Sequence, residues 1–116
     1  MPQPDKYTAF VIDHFSALGK ITSRYMFGGW CLYCDGAVFC LIADGAVWLK
    51  GDANNIPAFE ARGLKAFAPF PDKPDMTMKY FQAPPEIFED EDAMRHWCSG
   101  AIAASTNKKK PKKKKK

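Results

Sequence analysis

Cys31-Leu32-Tyr33-Cys34 is the paired-cysteine spacing in this chain, a pattern shared by thiol redox centres and by half of a zinc site. A redox pair relies on a helix N-terminus to lower the thiol pKa, yet this pair falls within a short apolar run that reads as a strand. Three residues apart on a strand, the two side chains point to opposite faces. They approach each other only if Cys34 has already entered the turn at Asp35. Zinc needs two further ligands, and the candidates Cys40, His14, His96 and Cys98 are scattered with no second paired spacing. A thiol redox or zinc site at Cys31 and Cys34 is therefore an alternative only, and no metal or cofactor is expected.

Acid-base chemistry finds as little support. His14 lies on the apolar side of the first predicted helix, as a half-buried packing residue would. His96 lies off the buried stripe of the last helix and can pair with Asp92 at i, i+4. Glu89-Asp90-Glu91-Asp92 places four carboxylates at a helix start, where the helix dipole accounts for them. Ser16, Ser23, Ser99 and Ser105 have no activating neighbours, and neither G-x-G-x-x-G nor G-x-x-x-x-G-K-[ST] occurs. The expectation is a protein that is not an enzyme.

The strongest chemical signal is charge. Eight lysines (Lys108, Lys109, Lys110, Lys112, Lys113, Lys114, Lys115 and Lys116) crowd the last nine residues, leaving nine basic against thirteen acidic side chains in the remainder. An acidic body thus carries a cationic tail. A run of like charges without apolar residues buries nothing to offset its ordering entropy, so residues 107–116 read as a disordered polylysine tail following a domain over residues 1–106. Lysines near a phosphate backbone displace condensed counterions, which makes nucleic acid the expected partner, bound without sequence selectivity.

The elements that must carry these residues are legible. Trp30 to Cys34 and Ala37 to Ile42 are separated by Asp35-Gly36, and Asp44-Gly45 leads into Val47-Trp48-Leu49-Lys50. Asp-Gly readily adopts the positive φ angles of a two-residue hairpin turn, which predicts an antiparallel meander. Gly28-Gly29 lets the chain bend after the strand Ile21 to Phe27, or lets another backbone approach closely. Ahead of the meander, Tyr7, Phe10, Val11, His14, Phe15 and Leu18 line one face of a helix, with Asp5 as its cap and Gly19 at its end. Beyond it, Asn54-Asn55-Ile56-Pro57 opens a short helix closed by Gly63. Strands are expected over Lys65 to Phe70 and Met76 to Phe81, joined by the turn Pro71-Asp72-Lys73-Pro74. A final helix buries Met94, Trp97, Cys98, Ala101 and Ile102.

With 116 residues the chain suits one domain that buries roughly two-thirds of its unfolded surface. Its apolar runs are much shorter than the about 20 residues that cross a bilayer, and the N-terminus lacks a basic region leading into an apolar one. The expected setting is cytoplasmic, with no membrane partner and with Cys31, Cys34, Cys40 and Cys98 as reduced core thiols.

Six landmarks in this order resemble the N-terminal domain of the TfoX (Sxy) family over roughly residues 5 to 105. They are Tyr25-Met26-Phe27-Gly28-Gly29; Asp35-Gly36 followed by Phe39; Asp44-Gly45 before Leu49-Lys50-Gly51-Asp52; Phe59-Glu60-Ala61-Arg62-Gly63; Met78-Lys79-Tyr80-Phe81; and the closing Trp97 helix. The resemblance implies an α+β fold, an antiparallel sheet flanked by helices similar in layout to type III secretion chaperones. The element order read from the residues, α-β(4)-α-β(2)-α, agrees with it. It also implies a regulator of DNA-uptake competence, a coactivator beside a cyclic-AMP receptor protein. Longer members carry a second, C-terminal domain of helix-hairpin-helix character, where this chain has its lysine run. The family offers no catalytic residues, and Met26, Phe27, Gly28 and Gly29 read as structural. The expected function is a non-enzymatic regulatory domain with nucleic-acid affinity from its tail. The competing reading is a dimeric or peptide-binding adaptor using large side chains such as Trp30, Tyr33, Phe39, Trp48, Phe67, Phe70 and Phe81.

Overall fold

The computed structural model describes residues 5–26, 29–43, 45–68, 72 and 79–109, with backbone alone for Met26 and for 107–109. Helix α1 (Lys6–Phe15) starts where the Asp5 carboxylate accepts the Thr8 backbone N–H at 2.8 Å. That bond holds the Asp5 carboxyl below the usual carboxylate range. A 3-10 turn over Ser16–Leu18 and Gly19 lead into the sheet. Gly19 has φ 153°, and a Cβ there would stand 2.7 Å from Asp35 Oδ2, so only glycine lets this corner close against the β2–β3 turn.

Strands β1 (Ile21–Met26), β2 (Gly29–Cys34), β3 (Ala37–Ala43) and β4 (Ala46–Lys50) form the expected meander, and β5 (Tyr80–Gln82) completes a five-stranded antiparallel sheet in order β1-β2-β3-β4-β5. Asp35 and Gly36 both take positive φ, 51° and 88°, as a two-residue hairpin requires. One irregularity reshapes the core. Leu32 pairs with Cys40 but Tyr33 pairs with Val38, leaving Phe39 as an extra residue. This bulge turns both Phe39 and Cys40 toward the helices, where both are fully buried.

The helical face of the sheet holds the main core, with Phe15, Phe39, Leu49 and Phe59 fully buried under α1, α2 (Ile56–Ala61) and α3 (Glu91–Lys109). The opposite face is also apolar: Cys31, Leu41, Ala43, Phe67 and Tyr80 are buried there beside Tyr33, Val38 and Trp48. Trp48 lies 5.0 Å from Phe67 between ring centroids, and its indole N–H donates to the Ala43 carbonyl at 3.3 Å.

Three expectations differ in detail. The strand over Lys65 to Phe70 reduces to a single bridge, Ala66 to Phe81, with Phe67 N–H donating to Tyr80 and Gln82 N–H to Lys65. Pro69 and Pro71 have no N–H to extend such a ladder. The strand drawn from Met76 is described from Tyr80 onward; residues 73–78, with most of the preceding turn and Phe70, lie outside the described residues. Finally, α1 buries Thr8, Val11 and Phe15, while Tyr7 and Phe10 remain 38% and 54% exposed.

Candidate nucleic-acid interface

Helix α3 positions the start of the lysine run. It is preceded by a 3-10 turn over Pro85–Phe88, and Asp90 Oδ2 accepts the Ala93 N–H at 3.2 Å, capping the first turn. Met94, Cys98, Ala101 and Ala104 are buried at spacings of three and four, so the helix lies along the sheet. Trp97 packs on Phe59 at 5.2 Å, with the Arg62 guanidinium 5.9 Å from its ring. Arg62 in turn makes a two-pronged pair with Glu86, at 2.6 and 2.9 Å.

The helix continues through Lys109 instead of ending near Asn107, so the backbone of Lys108 and Lys109 is helical. Two physical reasons favour this. Lysine is a good helix former, and a positive charge in the last turn complements the negative end of the dipole. Lys110 and Lys112 to Lys116 lie outside the described residues. At 1.5 Å per residue, the 19 residues of α3 span about 28 Å from Glu91 to Lys109. The acidic start of α3 and the backbone of Lys108 and Lys109 therefore occupy opposite ends of one rod, far beyond a Debye length of about 8 Å at physiological salt.

The other candidates are placed differently. Gly29 pairs with Met26 across β1 and β2, and a Cβ on it would run into the Ile42 carbonyl oxygen of β3. Phe27 and Gly28 lie outside the described residues. Cys31 and Cys34 belong to different cores on opposite faces of the sheet. Burial raises the pKa of both thiols; Lys50 partly opposes this at Cys31, and the Asp35 carboxylate adds to it at Cys34. Burial pushes Cys98 up to about 12 and Cys40 well above its ordinary value. All four thiols are free and buried, and among the described residues no group of three His, Cys, Asp or Glu side chains is placed to hold a metal ion. His14 donates its Nε2–H to the Ile87 carbonyl at 2.7 Å, tying α1 to the turn before α3. His96 stands edge-on to Trp97, while Glu91 takes Arg95 as its i, i+4 partner at 2.8 Å.

Of the large side chains weighed for an interface, Phe39, Phe67 and Phe81 are buried, and Trp30, Tyr33 and Trp48 are partly buried. Sequence periodicity missed the exposure of Phe10 and Tyr7. It also missed an open depression of about 330 Å³ at the β1 edge, lined by Thr22, Ser23, Arg24, Tyr33 and Gly36. No helix among the described residues is long and apolar enough to cross a membrane.

Comparison with known proteins places the chain in a family. The DNA transformation protein TfoX1 of Aliivibrio fischeri is 33% identical over 76 residues, covering 66% of this chain and 36% of that protein. The chain thus spans about a third of the length of the curated relative it matches. The TfoX N-terminal domain family matches residues 13–105, from α1 to the buried end of α3. By that match, which takes in the whole sheet, α2 and most of α3, the chain belongs to the TfoX N-terminal domain family.

Proposed function

We propose that this chain is a non-enzymatic, competence-related regulatory module of the TfoX type whose lysine run binds nucleic acid without sequence selectivity. The carrying observation is the separation of charge: eight lysines begin at the C-terminal end of α3, about 28 Å from the acidic start of the same helix. The name of the relative, a DNA transformation protein, supports a role near DNA uptake. The regulator works in the cytoplasm, the compartment in which four unpaired thiols stay reduced.

The body contributes little to polyanion binding, since outside the run acidic side chains outnumber basic ones thirteen to nine. The test is duplex binding by the full chain beside a version ending at Asn107, using two duplexes of unrelated sequence. The full chain is expected to bind both equally and the shortened chain neither. Undiminished binding by the shortened chain refutes the proposal.

A further inference from the structure

Helix α1 is apolar on two sides, and the fold covers one of them. Thr8, Val11 and Phe15 enter the core, whereas Tyr7, Phe10 and His14 form a second stripe at i, i+3 and i+7. Phe10 is 54% exposed and Tyr7 38% exposed; of the three large exposed hydrophobics among the described residues, two lie here. A helix carrying apolar residues on both sides is normally buried on both. The stripe is also rigidly held. Phe10 stacks on His14 with ring centroids 6.0 Å apart and meets Phe88 at 5.8 Å, and the His14 bond to Ile87 locks α1 to the turn bearing Phe88. Preset aromatic rings lose little freedom when covered, as interface anchors should.

The rim states the partner's charge. Asp13 is exposed one turn beyond Phe10, and exposed Glu89 and Asp90 directly follow Phe88; these three carboxylates outnumber Lys6, the exposed cation beside Tyr7 one turn before Phe10. We infer that the seam between α1 and the Pro85–Phe88 turn docks a cationic amphipathic helix of a protein partner. Its apolar residues cover Phe10, Tyr7 and Phe88, and its lysine or arginine stems lie along the rings with their heads on Asp13 and Glu89. The lysine run of this chain is a poorer occupant, because it has no apolar residue to cover the rings. This surface is separate from the nucleic-acid reading, since the backbone of Lys108 and Lys109 lies at the end of α3 far from the Pro85–Phe88 turn.

The test uses the full chain at 0.15 M salt and a fluorescent helical peptide of leucine and lysine, with apolar residues at i, i+3, i+4 and i+7. Two control peptides are the same design with glutamate for lysine, and octalysine. Saturable binding of the leucine-lysine peptide is expected, weakened at least tenfold by Phe10→Ser and at least tenfold by Asp13→Lys with Glu89→Lys. Both variants should retain duplex binding, which distinguishes failure here from failure of the tail reading. The charge-reversed pair alters exposed side chains only, so it decides the matter if Phe10→Ser lowers the folded fraction. Equal binding of the glutamate peptide, equal binding of octalysine, or a charge-reversed variant that binds like the parent overturns the inference. So does light scattering that finds a dimer dissociated by Phe10→Ser, because a second copy would then be the occupant.

Discussion

Replacing Gly29 with alanine tests whether the glycine pair is a structural device or a contact surface. The added Cβ would collide with the Ile42 carbonyl oxygen, a backbone atom that cannot rotate away as a side-chain end can. Overfilling a packed site typically costs about 1–3 kcal/mol, and disturbing the adjacent pairing of Trp30 with Ile42 adds about 1 kcal/mol for a ladder bond. The loss of chain freedom in the unfolded state returns about 0.4–1 kcal/mol. The net effect is a destabilisation of about 1–4 kcal/mol, or roughly 5–20 °C in Tm for a domain of this size. Thermal unfolding followed by tryptophan fluorescence, with urea titration for the free energy, reads both quantities. Duplex binding by the folded variant should be unchanged. A Gly29→Ala protein that melts at or above the parent refutes the close-approach argument, and one that melts normally but loses duplex binding shows a contact role instead.

Other consequences can be measured directly. Phe59 is fully buried, stacked on Phe81 at 5.1 Å and packed on Trp97, so Phe59→Ala should cost about 3–5 kcal/mol in urea unfolding; a loss under 1 kcal/mol would contradict the packing. Cys98 and Cys40 should resist alkylation at pH 8 in the native protein and react on unfolding, and rapid native labelling of either would contradict their burial. Burial raises the folded-state pKa of Cys98 and Tyr80 to about 12, so their contribution to stability is complete below the unfolded thiol and phenol values. It is lost as pH climbs from about 9 toward 12. Urea midpoints should fall across that window, less steeply in Cys98→Ala, and a flat profile would contradict this.

Local turn chemistry was the most legible part of the fold. Asp35-Gly36 announces its hairpin because few other dipeptides accept two positive φ angles in succession. The bulge in β3 was hidden because Ala37 to Ala43 is apolar throughout, so no alternation exists from which a slip could be seen. On α1 the candidate stripe of six apolar residues was wider than one face, and burial of the polar Thr8 rotated the helix away from it. Composition treats lysines as disorder-promoting, whereas at the end of a formed helix they meet a favourable dipole, which explains the helical backbone of Lys108 and Lys109. The charge division was plain from the residues alone. The aromatic seam at Phe10 and Phe88 was not, because it joins elements 78 positions apart in the chain.

The salt dependence of duplex affinity probes the central claim most directly, because the slope counts phosphate contacts. With eight lysines each displacing about 0.9 counterion when fully engaged, fluorescence anisotropy of the full chain between 50 and 300 mM salt should give a log-log slope on the order of −4 to −7. A slope shallower than about −1 would contradict a lysine-borne interface.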